Sequence, residues 1–419
     1  MIQVRIIYIS FVIVLLSEPV SVFSQDSLIA KKRPEQNIEL TGFGFLNSNT
    51  INNDFVKAFY YGNFIDEDMK LNSKDKIRSD NVLGGMSQVG FTYSYLSLEG
   101  LKKPTFSFSL FDRTNLDMKF SDDLYNTIFY GNKMFAGKTA SLGNFSLNFL
   151  RYQQVRFGWG WKGDAFHGSY GFAFSLLSGE KNLSVRMPTA DLYTADNGTY
   201  LDLAVKMKVD QTDTAHKQVF AQNGMGLSTD FYYEMPYVSW NKQGTLHFEV
   251  KDLGFIRWSS NSMHYTVDSS YHYEGIAVSD LFNVDTMLSP LNIDSVIDKN
   301  TAFSHRQYST SIPGLMDVHT KSFYGKQFAF EKGFIWRFNT HAKLYYYAKL
   351  HFFMGRNKTT DLACLIGYGG YGRFNSGFDF TIDFAKHYSF QLMSDYIFSS
   401  VTAQSTPGMG MFVKLVKKF

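Results

Sequence analysis

The sequence predicts an all-β protein, a closed antiparallel transmembrane β-barrel of about 14 strands. Three observations predict it: an aromatic-rich, charge-poor composition, long runs of apolar/polar alternation with almost no helical periodicity, and a final run that ends on Phe419. Of the 419 residues, 17% are aromatic and 19% charged, below the roughly 25% charge of soluble domains. Disordered chains are poor in aromatics and rich in Pro and charge, so disorder is excluded. A disulfide framework is excluded because Cys364 has no possible partner within the chain. Helical membrane bundles need apolar runs of about 18 or more residues, and none exists beyond the N-terminus. A net charge of +3 makes no case for nucleic acid.

Residues 1–24 have the three parts of a secretory signal peptide. Arg5 supplies the positive region and Ile6 to Leu16 the apolar core. Pro19 breaks the pattern, and Val22-Phe23-Ser24 offers a cleavage site before Gln25. The apolar run is shorter than the ~20 residues of a membrane-spanning helix. Export is therefore expected, leaving 25–419 as a single barrel domain. A lipoprotein signal needs a Cys at the cleavage site, and the single Cys lies at 364.

The alternation recurs along the rest of the chain. It runs through Phe106, Phe108 and Leu110, through Phe145, Leu147 and Phe149, and through Val155, Phe157, Trp159 and Trp161. Leu201, Leu203, Val205, Met207 and Val209 alternate with Asp202, Lys206 and Lys208; Leu246, Phe248 and Val250 alternate with Glu249 and Lys251. Leu344 to Phe352, Phe378 to Phe384 and Tyr388 to Phe398 continue the pattern. A soluble sandwich also alternates. However, these runs reach the ~9–11 residues a tilted strand needs to cross a bilayer, whereas soluble strands have about 5–6. Aromatics at run ends (Trp159, Trp161, Tyr232, Tyr233, Trp258, Trp336, Tyr388) read as interfacial girdles. At about 28 residues per strand and connection, the mature chain gives about 14 strands, in a range of 12 to 16.

Charges inside the runs set the orientation of each face. A midplane Lys or Arg facing lipid costs about 2–4 kcal/mol. Lys206, Lys208, Glu249, Lys251, Asp379 and Asp383 are therefore expected to face the lumen. Their mixed signs fit either a polar permeation path or an interior plugged by paired charge.

Two stretches interrupt the alternation. Residues 63–82 are polar and charge-dense, and read as an exposed loop or short helix on one rim. Residues 281–300 place Leu281, Val284, Leu288, Leu291 and Val296 at near-helical spacing, which fits either a short helix in a long connection or a plain extracellular loop. No 20–50-residue period repeats, so solenoids and propellers are excluded.

The ending, with Met411, Val413 and Leu415 apolar at alternate positions before Phe419, resembles the C-terminal signature of bacterial outer-membrane barrels, the segment that barrel-assembly machinery recognises. Lys417 departs from that pattern. Further stretches carry a narrower resemblance: Ser107 to Arg113, Tyr130-Gly131-Asn132 with Gly137 to Ala140, Asp191 to Thr194, Tyr200 to Leu203, Gly226 to Asp230, Lys251 to Trp258, and Tyr273 to Ile276. Over roughly residues 85–350 the chain resembles an uncharacterised family of outer-membrane barrels from Bacteroidota, catalogued as a domain of unknown function. Asp252-Leu253-Gly254-Phe255 before Trp258 is the most specific piece. The resemblance implies a barrel broadly similar to fatty-acid-porin and gliding- or secretion-associated barrels of that phylum. It carries over no substrate and no catalytic residue.

Chemical motifs are sparse. Gly367-Tyr368-Gly369-Gly370-Tyr371-Gly372 satisfies GxGxxG, but strands flank it on both sides, so glycines serving a turn or strand curvature explain it better than a dinucleotide. There is no HExxH, no Cys-His cluster and no GxSxG elbow. His167-Gly168-Ser169 offers a neighbouring His and Ser, but a hydrolase also needs an orienting acid or amide beside them. No enzyme activity, cofactor or metal is expected. The expected role is a channel or uptake barrel for small solutes in the bacterial outer membrane. The alternative is a non-transporting barrel that docks protein partners in surface secretion or motility. The expected surroundings are outer-membrane lipid and the barrel-assembly machinery, without nucleic acid.

Overall fold

The computed structural model describes residues 35–96, 103–163, 168–213, 220–239, 242–274, 302–355, 359–385, 387–396 and 408–419. The expected signal peptide at 1–24, the 281–300 stretch read as a short helix or a plain loop, and His167 lie outside them. Strand β1 (Glu35–Ser48) is followed by helices α1 (Asn53–Tyr61) and α2 (Glu67–Lys74), then β2 (Asn81–Leu96) and β3 (Thr105–Phe120). Helix α3 (Asp122–Tyr130) and β4 (Lys138–Ser141) lead into β5 (Phe145–Trp161) and the long β6 (Ser169–Thr194). Then come β7 (Leu201–Gln211), β8 (Gly224–Ser239), β9 (Lys242–Trp258), β10 (Met263–Tyr273), β11 (Ala302–His305) and β12 (Ser309–Ser311). The chain finishes with β13 (Gly314–Tyr324), β14 (Phe328–Phe338), β15 (Tyr345–Met354), β16 (Thr360–Tyr368), β17 (Phe374–Phe384), β18 (Tyr388–Ser394) and β19 (Gly408–Lys418).

Fourteen of these strands form a closed antiparallel ring: β1, β2, β3, β5, β6, β8, β9 and β13 to β19. Closure is made by β19 against β1, in register from Asn37 opposite Lys418 to Asn47 opposite Gly408. The backbone of Phe419 also donates to the Gln36 carbonyl at 2.9 Å. Closing the sheet leaves no unpaired edge, the condition for placing strands in hydrocarbon. Alternate side chains then separate. Phe172, Leu176, Leu227, Phe255, Tyr346, Leu350, Ile366 and Met411 are exposed on the outside. Their neighbours along the chain, including Ala173, Ser175, Ser228, Tyr347, Ala363 and Leu365, are buried inside.

The ring is uneven in height. Strands β13 to β19 have 7 to 11 residues, the length a tilted strand needs to cross a bilayer. The earlier ring strands have 14 to 26. The upper half of β6 carries the sheet beyond the ring as a second section, in which it pairs with β4 and β7, β7 with β10, and β10 with β11. A bulge at Glu180, between the pairs Tyr152–Gly179 and Arg151–Lys181, marks where β6 leaves the wall.

This second section corrects two expectations. Lys206 and Lys208 lie on β7, outside the ring, with both side chains exposed. Lys206 bonds Asp268 across to β10 at 2.8 Å. Period-2 alternation is the same in a projecting sheet as in a barrel wall, so pattern alone could not separate them. Two expected girdle aromatics also point inward. Trp258 is buried with its indole N–H donating to the Thr310 hydroxyl at 2.8 Å, and Tyr232 packs beside Gly160 and Gly171. Trp159, Trp161, Tyr170 and Phe172 stack together instead, as a girdle requires.

The rim carrying both described ends has short connections, such as 325–327 between β13 and β14. The far rim carries the long ones and the helices. The charge-dense 63–82 stretch contains α2, begun by the Asp66 carboxylate accepting from the Met69 amide at 2.8 Å. Helix α3 starts with the Ser121 hydroxyl accepting from the Leu124 amide, and α1 ends at Gly62 with φ 67°, a left-handed cap that favours glycine. The helices share one apolar cluster of Ile51, Phe55, Phe120 and Tyr125. Burial there pushes the Tyr125 hydroxyl up to about 12.

Inside the ring, Leu150, Tyr152, Leu177, Ile256, Trp258 and Ile312 form a dry cluster between β5, β6 and β9. Replacing Trp258 by Ala should cost about 3–5 kcal/mol, because a buried indole leaves a cavity that rigid strands cannot close. Urea unfolding in lipid vesicles checks this; a loss under about 1 kcal/mol would mean the cluster is not packed.

Candidate functional site

The interior is built from the inward side chains of the ring, and its two sides differ. The β5–β6–β8–β9 side is filled. The key residue is Asp252, which sits at a bulge where β9 carries one extra residue between the pairs Phe231–Val250 and Thr229–Leu253. Its φ of 60° is left-handed, a conformation Asp and Asn adopt more readily than most residues. The bulge lets Lys251 and Asp252 both reach the lumen, although they are adjacent.

The Asp252 carboxylate accepts from Arg113 Nη1 at 2.5 Å and from Gln154 Nε2 at 3.1 Å. Its backbone N–H donates to Asp230 Oδ1 at 2.6 Å, and Arg156 Nε pairs with Asp230 Oδ2 at 2.6 Å. Gln154 also donates to the hydroxyls of Ser175 and Ser228. All but Arg156 are buried, so these charges are stable only as a connected web. Arg113, Gln154 and Asp230 were not singled out from sequence. A signal existed: Arg113, Asp230 and Asp252 all fall in the stretches that carry the family resemblance.

Around the other strands the inward charges form a belt of alternating sign. Lys251 pairs with Glu249 at 2.8 Å. Glu331 lies 3.9 Å from Lys321, 3.8 Å from Lys349 and 3.3 Å from His351. Lys349 reaches Asp379 at 3.4 Å, where Gln391 also donates at 2.8 Å. Of the predicted residues, Glu249, Lys251 and Asp379 thus enter this interior network. Asp383 sits apart, half-exposed at the terminal rim and 3.9 Å from Lys418. The terminal positions Met411, Val413, Leu415 and Phe419 lie on or just beyond the closing strand, with Met411 and Phe419 exposed.

The β1–β3 side is not filled. A cavity of about 490 Å³ follows these strands, from Glu39, Ser94 and Ser107 near the terminal rim to Asp117, Thr340 and Tyr371 near the far rim. On β3 alone, Ser107 to Asp117 is about 33 Å of strand. Its wall is mostly neutral, with hydroxyls and amides of Thr41, Gln88 and Thr92 beside the rings of Phe43, Phe111 and Phe412. Arg337 also lines it, its guanidinium 5.0 Å from the Phe45 ring and without an ion pair among the described residues. The GxGxxG-like stretch is the turn at the far end: Gly369 and Gly370 have φ of 111° and 66°, and buried Tyr371 donates to Asp117 at 2.7 Å. No group of three or more metal-ligating side chains occurs among the described residues.

Asp252→Asn keeps the left-handed backbone accessible but leaves Arg113 without its counter-charge, so it should cost about 3–5 kcal/mol. Lys206→Ala breaks only an exposed, solvent-screened pair and should leave the unfolding midpoint essentially unchanged. Unfolding midpoints of both variants in the same vesicles check the contrast, and equal losses would contradict it.

Comparisons with known proteins can be set beside this geometry. No curated protein matches the sequence. Among solved structures, a TodX deletion mutant described as a monoaromatic hydrocarbon channel is 7% identical, covering 92% of this chain and 89% of its own, with a TM-score of 0.43. The P. putida toluene transporter TodX is 7% identical over 93% and 89%, with a TM-score of 0.39. The translocator domain of the autotransporter NalP from Neisseria meningitidis is 8% identical over 94% and 91%, with a TM-score of 0.34. Likeness at this level carries no argument about role. A family profile described as "Family of unknown function (DUF5723)" matches residues 35–395, and the chain belongs to that family.

Proposed function

We propose that the chain is an outer-membrane barrel that passes small solutes along the β1–β3 side of its lumen. The carrying observation is the cavity that follows β3 from Ser107 to Asp117, bordered by the Asp252 web that fills the adjoining β5–β9 side. The hydroxyls, amides and aromatic rings that make up most of the wall suit small amphipathic solutes better than bare ions. The ring closure and apolar outer face support a bilayer location. Short turns on the terminal rim and long connections on the far rim support a periplasmic terminal rim and an extracellular cap. Removal of residues 1–24 before Gln25 would deliver the chain for export. Met411, Val413, Leu415 and Phe419 would then present the closing strand to the barrel-assembly machinery.

One observation favours partner docking as a second reading. Phe59, Tyr61, Phe64, Ile128 and Met134 are exposed on the helical cap. Apolar surface held out on a rim suits contact with another protein.

The two readings separate by conductance. The channel reading expects discrete conductance steps from purified protein in planar bilayers, and Gln88→Trp, opposite Arg113 at the middle of the cavity, should reduce them several-fold. Wild-type protein that is silent at every voltage but co-purifies with a surface protein would favour docking.

A further inference from the structure

At the far rim the fold assembles three residues that the sequence holds far apart. The Ser146 hydroxyl, at the start of β5, lies 3.1 Å from Nε2 of His341 in the β14–β15 turn. The other ring nitrogen, Nδ1, lies 2.6 Å from Asp117 Oδ2 on β3. Asp117 is buried and fixed by two further donors to its Oδ1, the His341 backbone N–H at 2.8 Å and the Tyr371 hydroxyl at 2.7 Å. With both Oδ1 and Oδ2 held as acceptors, Nδ1 is the protonated nitrogen. Nε2 then keeps a free lone pair directed at the Ser146 hydroxyl. That is the arrangement of nucleophile, base and orienting acid that activates a serine.

The surroundings supply what such a serine needs. Ser146 and His341 line a cavity of about 560 Å³, so the hydroxyl has room for a substrate. Arg186 stands directly opposite Ser146 in the β5–β6 pairing, where Cβ atoms are about 4.5–5.5 Å apart. Its guanidinium has no partner among the described residues. Asn148, two residues along on the same face, accepts from Asn182 through Oδ1 at 3.1 Å, while its Nδ2 has no partner among the described residues. Both side chains can donate to an oxygen developing charge above Ser146. A second guanidinium without a side-chain partner among the described residues, Arg306, lines the same cavity.

We propose that Ser146, His341 and Asp117 form a serine esterase site at the far rim, acting on small carboxylic esters whose acyl portion carries a negative charge. Ser146 Oγ adds to the ester carbonyl carbon as its proton passes to His341 Nε2, and Arg186 and Asn148 hold the resulting oxyanion. The carbon–oxygen bond to the alcohol then breaks, the departing alkoxide takes the proton from His341, and the acyl group stays on Ser146. Water, deprotonated by His341, adds to the acyl carbon. Collapse releases the carboxylic acid and returns the proton to Ser146. Arg306 accounts for the acyl charge: its guanidinium has no ion pair among the described residues, whereas Asp210, the lining carboxylate other than Asp117, is held by His264.

The test uses the full chain in detergent micelles, treated with a fluorophosphonate probe and then digested for mass spectrometry. The expected result is a covalent adduct on Ser146 of the wild-type protein, a readout that needs no variant to fold. In parallel, the 4-nitrophenyl hemiester of terephthalate, whose carboxylate cannot reach its own ester carbonyl, should be hydrolysed faster than 4-nitrophenyl benzoate. Ser146→Ala and His341→Ala should each lower the rate at least 100-fold while heat-shifted gel migration shows an intact barrel. Arg306→Ala should abolish the preference for the anionic ester. No adduct on Ser146, or hydrolysis unchanged in Ser146→Ala, would overturn the proposal and leave the triad as a tie between the β14–β15 turn and β3. Equal rates for the two esters would overturn the assigned substrate class.

Discussion

The Asp252 carboxylate stands where the constraints on the barrel meet. A ring of fourteen strands encloses more space than backbone alone can fill. On one side this chain fills it with charged and polar side chains that are acceptable only when each has a counterpart. Asp252 receives Arg113 and Gln154 through its carboxylate and reaches Asp230 through its backbone N–H; Asp230 in turn holds Arg156. Removing the carboxylate would strand a guanidinium among buried groups, which is far more unfavourable than never placing a charge there. The backbone detail serves the same end. Without the extra residue on β9, Lys251 and Asp252 would point to opposite faces, and an aspartate would meet lipid.

Filling one side gives the other its character. The dry cluster around Trp258 and the web beneath it hold β5, β6, β8 and β9 firmly, so the space along β1–β3 need not collapse. The tall strands continue this division above the ring. The upper half of β6 extends the sheet beyond the ring, while β13 to β19 stay near the height of a bilayer. At the far rim Asp117 is shared by Tyr371, His341 and the upper end of the cavity.

Much of the barrel was legible in the sequence because its cause is local. Alternation with period two, runs near ten residues and a terminal aromatic strand state which face is wet and how long the strand is. They do not state its neighbours. Lys206 and Lys208 alternate as well as any wall residue, yet β7 pairs with the upper half of β6 and with β10 instead of joining the ring. Helices α1 and α3 escaped notice because Phe, Tyr and Ile in DFVKAFYY and DLYNTIFY favour strands. The capping residues Asn52 and Ser121 were the signal pointing the other way. The site residues divide similarly. Glu249, Lys251 and Asp379 follow from the unfavourable exposure of charge to lipid. Ser146, His341 and Asp117 meet only because β3, β5 and the β14–β15 turn converge at one rim, and no spacing in the sequence records that.

One side of the lumen is solid and the other open, and thiol accessibility distinguishes the two. In a Cys364→Ser background, single cysteines at Ser107, on the cavity wall, and at Ser175, within the buried web, are exposed to a small charged methanethiosulfonate in vesicles. Rapid modification at 107 with 175 protected is the predicted result. Equal protection would mean that no aqueous path follows β3, and equal modification would mean that the Asp252 web does not seal its side.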